Sequence, residues 1–106
     1  RLSFGVHKAP KDAPAKLVRL CDSDAMALAV SMKASGSKLA YMAAALGKSP
    51  GYVSRMRAGK RPIPEKLVQA ICNATGSNLL RQVRDLNTVI EHDEVAELAA
   101  MLRGAA

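Results

Sequence analysis

The stretch Leu39-Ala40-Tyr41-Met42-Ala43-Ala44-Ala45-Leu46-Gly47-Lys48-Ser49-Pro50-Gly51-Tyr52-Val53-Ser54-Arg55-Met56 decides how this chain folds. Leu39, Met42, Ala43 and Leu46 fall at i, i+3, i+4 and i+7, one apolar face of an amphipathic helix. Gly47 ends that helix and turns the chain, a position that calls for positive φ. Ser49 is placed to cap a second helix, and Pro50 fits its first helical position because it lacks the N–H that would be left unpaired there. Val53 and Met56 give this second helix a narrow apolar side, and Gly59 stops it after about two turns. A helix that short is not stable alone and must be held by packing on its neighbour. Leu46, Val53 and Met56 are placed to fill the angle between the two helices. Ala43 must be small because the second helix crosses close to it.

Working outward, Asp22 or Ser23 caps a helix over residues 24–35, with Asp24 in the first turn where the helix dipole favours a carboxylate. Its recurring positions Met26, Ala29, Val30 and Lys33 are expected to face inward, and Gly36 stops it. Ser37 is expected to cap the helix that begins at Leu39. On the other side, Lys60-Arg61-Pro62-Ile63-Pro64 reads as a basic loop stiffened by proline. Pro64 opens a helix with Leu67, Ala70, Ile71 and Ala74 inward, closed by Gly76. Ser77 caps another with Leu79, Leu80, Val83 and Leu86. Asp93 is expected to cap a separate last helix carrying Val95, Leu98, Ala99 and Leu102. Residues 1–14, with Pro10 and Pro14, read as an irregular, mobile arm, and Lys16–Leu20 as the start of a short helix. The expected organisation is a basic arm over 1–20, a helical body over 21–87 and a C-terminal helix over 88–106.

Composition agrees with helices. The 106 residues hold 19 Ala, 12 Leu and 5 Met, against 13 Val, Ile and Thr together and three aromatics. Strands favour β-branched and aromatic side chains, so a sandwich, barrel or sheet-based fold is excluded. The apolar content is too high for a disordered chain. The length suits one small domain.

Charge is concentrated. The net charge is +7. Residues 33–66 carry Lys33, Lys38, Lys48, Arg55, Arg57, Lys60, Arg61 and Lys66 against Glu65 alone, which by itself amounts to +7. The rest of the chain cancels. A basic centre between neutral and acidic flanks is an electrostatic footprint for a polyanion, set against the plainer reading of a solvated lysine face. Two Tyr and one Phe cannot build the aromatic platform on which single strands and unpaired RNA bases stack, so duplex is the favoured form. Cys21 and Cys72 form no CxxC. They read as reduced, buried small hydrophobes of a cytoplasmic protein, with a structural disulfide as the alternative. His7 and His92 are isolated, and no ligand cluster has metal spacing. The sequence Gly59-Lys60-Arg61-Pro62 lacks the upstream glycines and preceding strand of a phosphate-binding P-loop. No glycine elbow frames a nucleophile. Neither enzyme activity nor a cofactor is expected. The longest apolar run, Leu39–Leu46, is far short of the ~20 residues that span a bilayer, so no membrane partner is expected.

Two short helices joined by a tight glycine turn form a helix-turn-helix. With the basic loop that follows, Leu39–Pro62 resembles the Cro/lambda-repressor type of helix-turn-helix domain, also called the XRE family. The flanking helices over 24–35, 64–75 and 77–86 match its five-helix core. The fold this implies is all-α: a five-helix lambda-repressor-like domain with an N-terminal arm and an extra C-terminal helix. The resemblance implies a phage or bacterial regulator, in the cytoplasm and on the nucleoid, whose helix Ser49–Ala58 lies in the major groove of double-stranded DNA. Ser49, Ser54 and Arg55 are the implied base contacts, with Arg55 placed to pair with guanine. Ser37 and Lys38, at the start of the preceding helix, and Tyr52, Arg57, Lys60 and Arg61 are the implied backbone contacts, although Tyr52 is as well suited to packing as to a phosphate. Pro50 and Gly51 leave two positions of that helix without hydrogen-bonding side chains.

A palindromic operator bound by a homodimer suits so small a reader, because paired half-sites multiply specificity. The stripe Val95, Leu98, Ala99 and Leu102 is expected either to pack in the core or to form the dimer seam. An alternative is an antitoxin that regulates its own operator and neutralises a toxin protein through the arm or the acidic last helix. A third reading is a purely protein-binding helical adaptor.

Overall fold

A computed structural model describes residues 9–104, with side chains described for all of these but 91–93, 103 and 104. Residues 1–8 of the expected arm and the site of His7 lie outside the described residues. Among the described residues six helices follow in order: α1 Ala15–Leu20, α2 Asp24–Ser35, α3 Leu39–Leu46, α4 Pro50–Arg57, α5 Glu65–Thr75 and α6 Leu79–Gly104. Among the described residues no strand occurs, only an isolated parallel bridge between Lys11 and Ser77. The all-helical fold is therefore as the composition requires.

Capping sets most boundaries. Ser23 Oγ accepts from the Met26 N–H at 3.2 Å at the start of α2. Gly36 closes α2 with φ 71°, and Gly76 closes α5 with the same value. Ser77 Oγ accepts from the Leu79 N–H at 3.1 Å where α6 begins. Ser37 differs from expectation. Its N–H donates to Met32 O at 2.9 Å, finishing α2, and its hydroxyl pairs with that of Ser35 at 2.6 Å. The residue before α3 is Lys38, which caps nothing with its side chain.

The core is one cluster. Leu28, Met32, Met42, Val53, Met56, Val68, Ile71, Leu79, Leu80 and Val83 are buried at its centre. In α2 the buried residues are Ala27, Leu28, Ser31 and Met32, whereas Met26 is exposed. Of the expected inward set, Val30 packs at the edge of the core and Ala29 is half-buried, but Met26 and Lys33 face solvent. The segment Ala25–Val30 is apolar on every side, so its own periodicity selects no face, and packing against α4, α5 and α6 selects it instead. In α5, Leu67, Val68, Ile71, Cys72 and Thr75 are buried and the Thr75 hydroxyl donates to Ile71 O at 2.9 Å. Cys21 and Cys72 are both buried and free, so the disulfide alternative is not found. Burial pushes both thiols above their ordinary pKa, with the neighbouring charge of Asp22 adding to the effect at Cys21.

Two expectations fail at the ends. The irregular, mobile arm expected over residues 1–14 is tied down from Lys11 onward, and the basic arm does not run free to residue 20, since the short helix expected from Lys16 is present as α1. The Lys11 N–H donates to Gly76 O at 3.1 Å, and the Asn78 N–H donates to Lys11 O at 2.8 Å. Gln82 then clamps Ala13, accepting from its N–H at 2.8 Å and donating to its carbonyl at 3.2 Å. Val18 of α1 is buried, and α1 packs on α6. At the other end, no break precedes Asp93, and the expected fifth and last helices are one 26-residue α6. Residues 87–92 contain neither Gly nor Pro, so nothing stops the helix there. The far half of α6 leaves the body, which is why the molecule measures 63 × 27 × 21 Å. Val95, Leu98 and Leu102 are exposed along it, and this overturns core packing for that stripe within the chain.

Candidate nucleic-acid interface

The α3–α4 corner is built as the sequence requires. Ala43, Leu46, Val53 and Met56 are all buried. Gly47 has φ +67°, and the Lys48 N–H donates to Ala43 O at 2.9 Å, which closes α3 while the chain turns. Ser49 Oγ accepts from the Tyr52 N–H at 3.1 Å and so caps α4, with Pro50 in the first turn. At the other end Gly59, φ +80°, lets the Lys60 N–H return to Arg55 O at 2.9 Å. This reversal brings the basic loop back beside α4. Ile63 is buried and anchors the loop, and Arg84 of α6 donates through Nη1 to Ile63 O at 2.8 Å. Arg84 Nε also lies 3.6 Å from Asp24 Oδ2. One guanidinium thus joins α6, the start of α2 and the loop after α4.

The outer face of α4 is open to solvent. Ser49, Pro50, Gly51, Arg55, Arg57 and Ala58 are exposed, and Tyr52 and Ser54 are half-buried. Arg55 lies back along α4 over Gly51: a Cβ at Gly51 would stand 3.4 Å from Arg55 Nη1. The position read as empty is thus covered by the guanidinium, at ordinary contact distance from where a Cβ would stand. Tyr52 carries two cations over its ring. The Arg61 guanidinium carbon is 4.0 Å from the ring centroid, and Lys48 Nζ is 5.1 Å from it. Tyr52 therefore packs against cations, and its ring is its contact surface. Lys48 belongs to the basic centre but was not among the implied DNA contacts. It lies outside α4, and only its place four before Tyr52 hinted at the contact.

Among the described residues the ion pairs are Arg81–Glu65 and Arg84–Asp24. Neither involves Lys38, Lys48, Arg55, Arg57, Lys60 or Arg61, so the basic surface around α4 is left for an outside anion. Lys60 and Arg61 also edge an open cleft of about 840 Å³ between the start of α2, the loop and α6, where Asp22, Asp24 and Arg84 lie. Ser37 and Lys38 are not brought to the Tyr52 cluster. They line a separate groove with Tyr41 and Asn73 at the far end of α3.

Residues 32–81 match the family model described as helix-turn-helix, a stretch that runs from the last turn of α2 into the start of α6. These residues are a helix-turn-helix domain of the Cro/lambda-repressor type. No curated protein and no solved structure matches the chain. In the helix-turn-helix domain α3 is the first helix and α4 the second, the one such domains present to the major groove of double-stranded DNA. The domain is that of a DNA-binding regulator. Among the described residues no helix is long and apolar enough to cross a membrane.

Proposed function

We propose that this chain is a sequence-specific transcriptional repressor that inserts α4 into the major groove of a palindromic operator as a homodimer, in the cytoplasm of a bacterial or phage-infected cell and on its nucleoid. The observation that carries this reading is the unneutralised set Arg55, Arg57, Lys60 and Arg61 on and beside an exposed helix whose other side is locked into the core. Ser54 and Arg55 are the base contacts that this face offers. Ser49 adds a hydroxyl hydrogen, since its oxygen already accepts from Tyr52. Arg57, Lys60 and Arg61 hold the backbone at one end of α4, and Ser37 and Lys38 hold it at the start of α3. Selection from a random duplex library tests the reading by returning a two-fold symmetric site with half-sites about 34 Å apart. Arg55→Ala then flattens sequence preference, whereas Lys60→Ala weakens all duplexes alike. No enriched sequence from that selection, or equal losses on specific and random duplex for Arg55→Ala, refutes specific readout.

The exposed band Val95, Leu98, Met101 and Leu102 on the far half of α6 favours a protein contact in addition to DNA. A second copy supplies it in the homodimer reading. An antitoxin would present the same band to a toxin. Mass in solution decides for the homodimer if the isolated chain is a dimer that Leu98→Glu dissociates. A chain that stays monomeric alone, and binds the product of a neighbouring reading frame, decides for the antitoxin.

A further inference from the structure

We infer that Lys48, Tyr52 and Arg61 form one anion subsite for a single phosphate group, with the two cations as its ligands and the Tyr52 ring as the platform that holds them. The three residues come from different segments: the turn after α3, the first turn of α4 and the loop after α4. Tyr52 is where these segments meet. Its own N–H is fixed by the Ser49 cap at 3.1 Å, and its ring is half-buried against the core cluster. A platform fixed in this way places what stacks on it.

The Arg61 guanidinium carbon is 4.0 Å from the ring centroid, a stacking distance that uses the planar face of the cation. Its N–H donors lie in the plane, along the edge. A phosphate binds that edge in bidentate fashion, so stacking and anion binding do not compete. Lys48 Nζ, 5.1 Å from the same centroid, offers three donors from a mobile stem. Both cations centre on one ring, and the flexible Lys48 stem lets its ammonium turn toward a phosphate held at the Arg61 edge. Among the described residues no carboxylate pairs with either cation, so both keep their charge for an added anion. The Tyr52 hydroxyl takes no part in this arrangement.

The inference rests on duplex binding for the source of the phosphate, and its test separates the two. Tyr52→Phe keeps the ring and is expected to match the parent in affinity for random duplex. Tyr52→Leu is expected to weaken every duplex roughly tenfold, with helix content and melting midpoint showing that the fold persists. Loss of affinity in Tyr52→Phe equal to that in Tyr52→Leu overturns the platform and makes the hydroxyl a direct phosphate donor. An unchanged Tyr52→Leu overturns it as well. The double variant Lys48→Gln, Arg61→Gln is expected to reduce the slope of log K against log salt by about 0.9, the value for one phosphate, and a reduction near 1.8 overturns the shared site. Inorganic phosphate titrated into the free protein, followed by NMR of the Lys48 and Arg61 side chains, provides the arm without DNA. If these resonances move and no duplex binds, duplex binding is refuted and the anion site stands. If they do not move, the site is refuted.

Discussion

Replacing Arg84 by Met removes the guanidinium and keeps most of the aliphatic stem that packs beside α2. Two polar contacts are lost. The first is a charged hydrogen bond of 2.8 Å to the Ile63 carbonyl, of a class that contributes about 1.5–3 kcal/mol. The second is the 3.6 Å contact with Asp24, between side chains that are 25% and 33% exposed, which adds less than about 1 kcal/mol. Arg84→Met is thus expected to cost about 2–3 kcal/mol, a drop in melting midpoint on the order of 10–20 °C for a domain of this size. Asp24→Asn removes only the ion pair and a favourable charge in the first turn of α2, and should cost about 1 kcal/mol or less. Urea denaturation followed by far-UV circular dichroism gives both values, with m unchanged if the folded state is intact. The reasoning is refuted if Asp24→Asn is as costly as Arg84→Met, since the ion pair rather than the loop carbonyl would then be the main contact. A cost below about 0.5 kcal/mol for Arg84→Met would refute it too, showing that the loop is held by Ile63 burial alone.

Three further outcomes follow from single sites. Gly47→Ala must adopt φ +67° with a Cβ, and although nothing stands within 4 Å of that Cβ, the backbone strain should cost about 1–2 kcal/mol in the same denaturation assay. Among the described residues the buried Ser31 hydroxyl has no hydrogen-bond partner, so Ser31→Ala should raise stability by about 1 kcal/mol, read as a higher urea midpoint. Cys21 and Cys72 have raised thiol pKa values in the fold, so the unfolded chain ionises first as pH rises. Their contribution to stability is complete below the unfolded thiol pKa and is lost above it. Melting midpoints should be level from about pH 6 to 8 and fall beyond about pH 9, and the fall should be smaller in Cys72→Ala.

The corner of the fold was legible because its constraints are local. Gly47, Ser49, Pro50 and Gly59 each act on the backbone within a turn, and Ala43, Leu46, Val53 and Met56 touch across that turn. The inward face of α2 was not legible, because Ala, Met, Leu and Val surround the helix and the choice belongs to distant partners. The break expected at Asp93 treated a good cap as sufficient, although a helix without a stop signal continues through one. Lys48 and Arg84 were missed for a shared reason: the partners that give them meaning are in other segments. Tyr52 held two readings at sequence level, and the cation stacking favours packing.

The pairing of Lys11 with Gly76 and Asn78 also governs the order in which the chain assembles. With the Gln82 clamp on Ala13, it stands apart from the helix contacts that share the central cluster. This one closes a loop across most of the domain, and closing some 65 residues costs about 4 kcal/mol in chain entropy beyond a constant. Hydrogen bonds at the surface offset little of that until α2 to α6 have shortened the path. The strand-like segment before α1 therefore docks late in folding and is released early in unfolding. Although it leaves the ribosome before the rest of the domain, it must wait for the start of α6 before it has a partner.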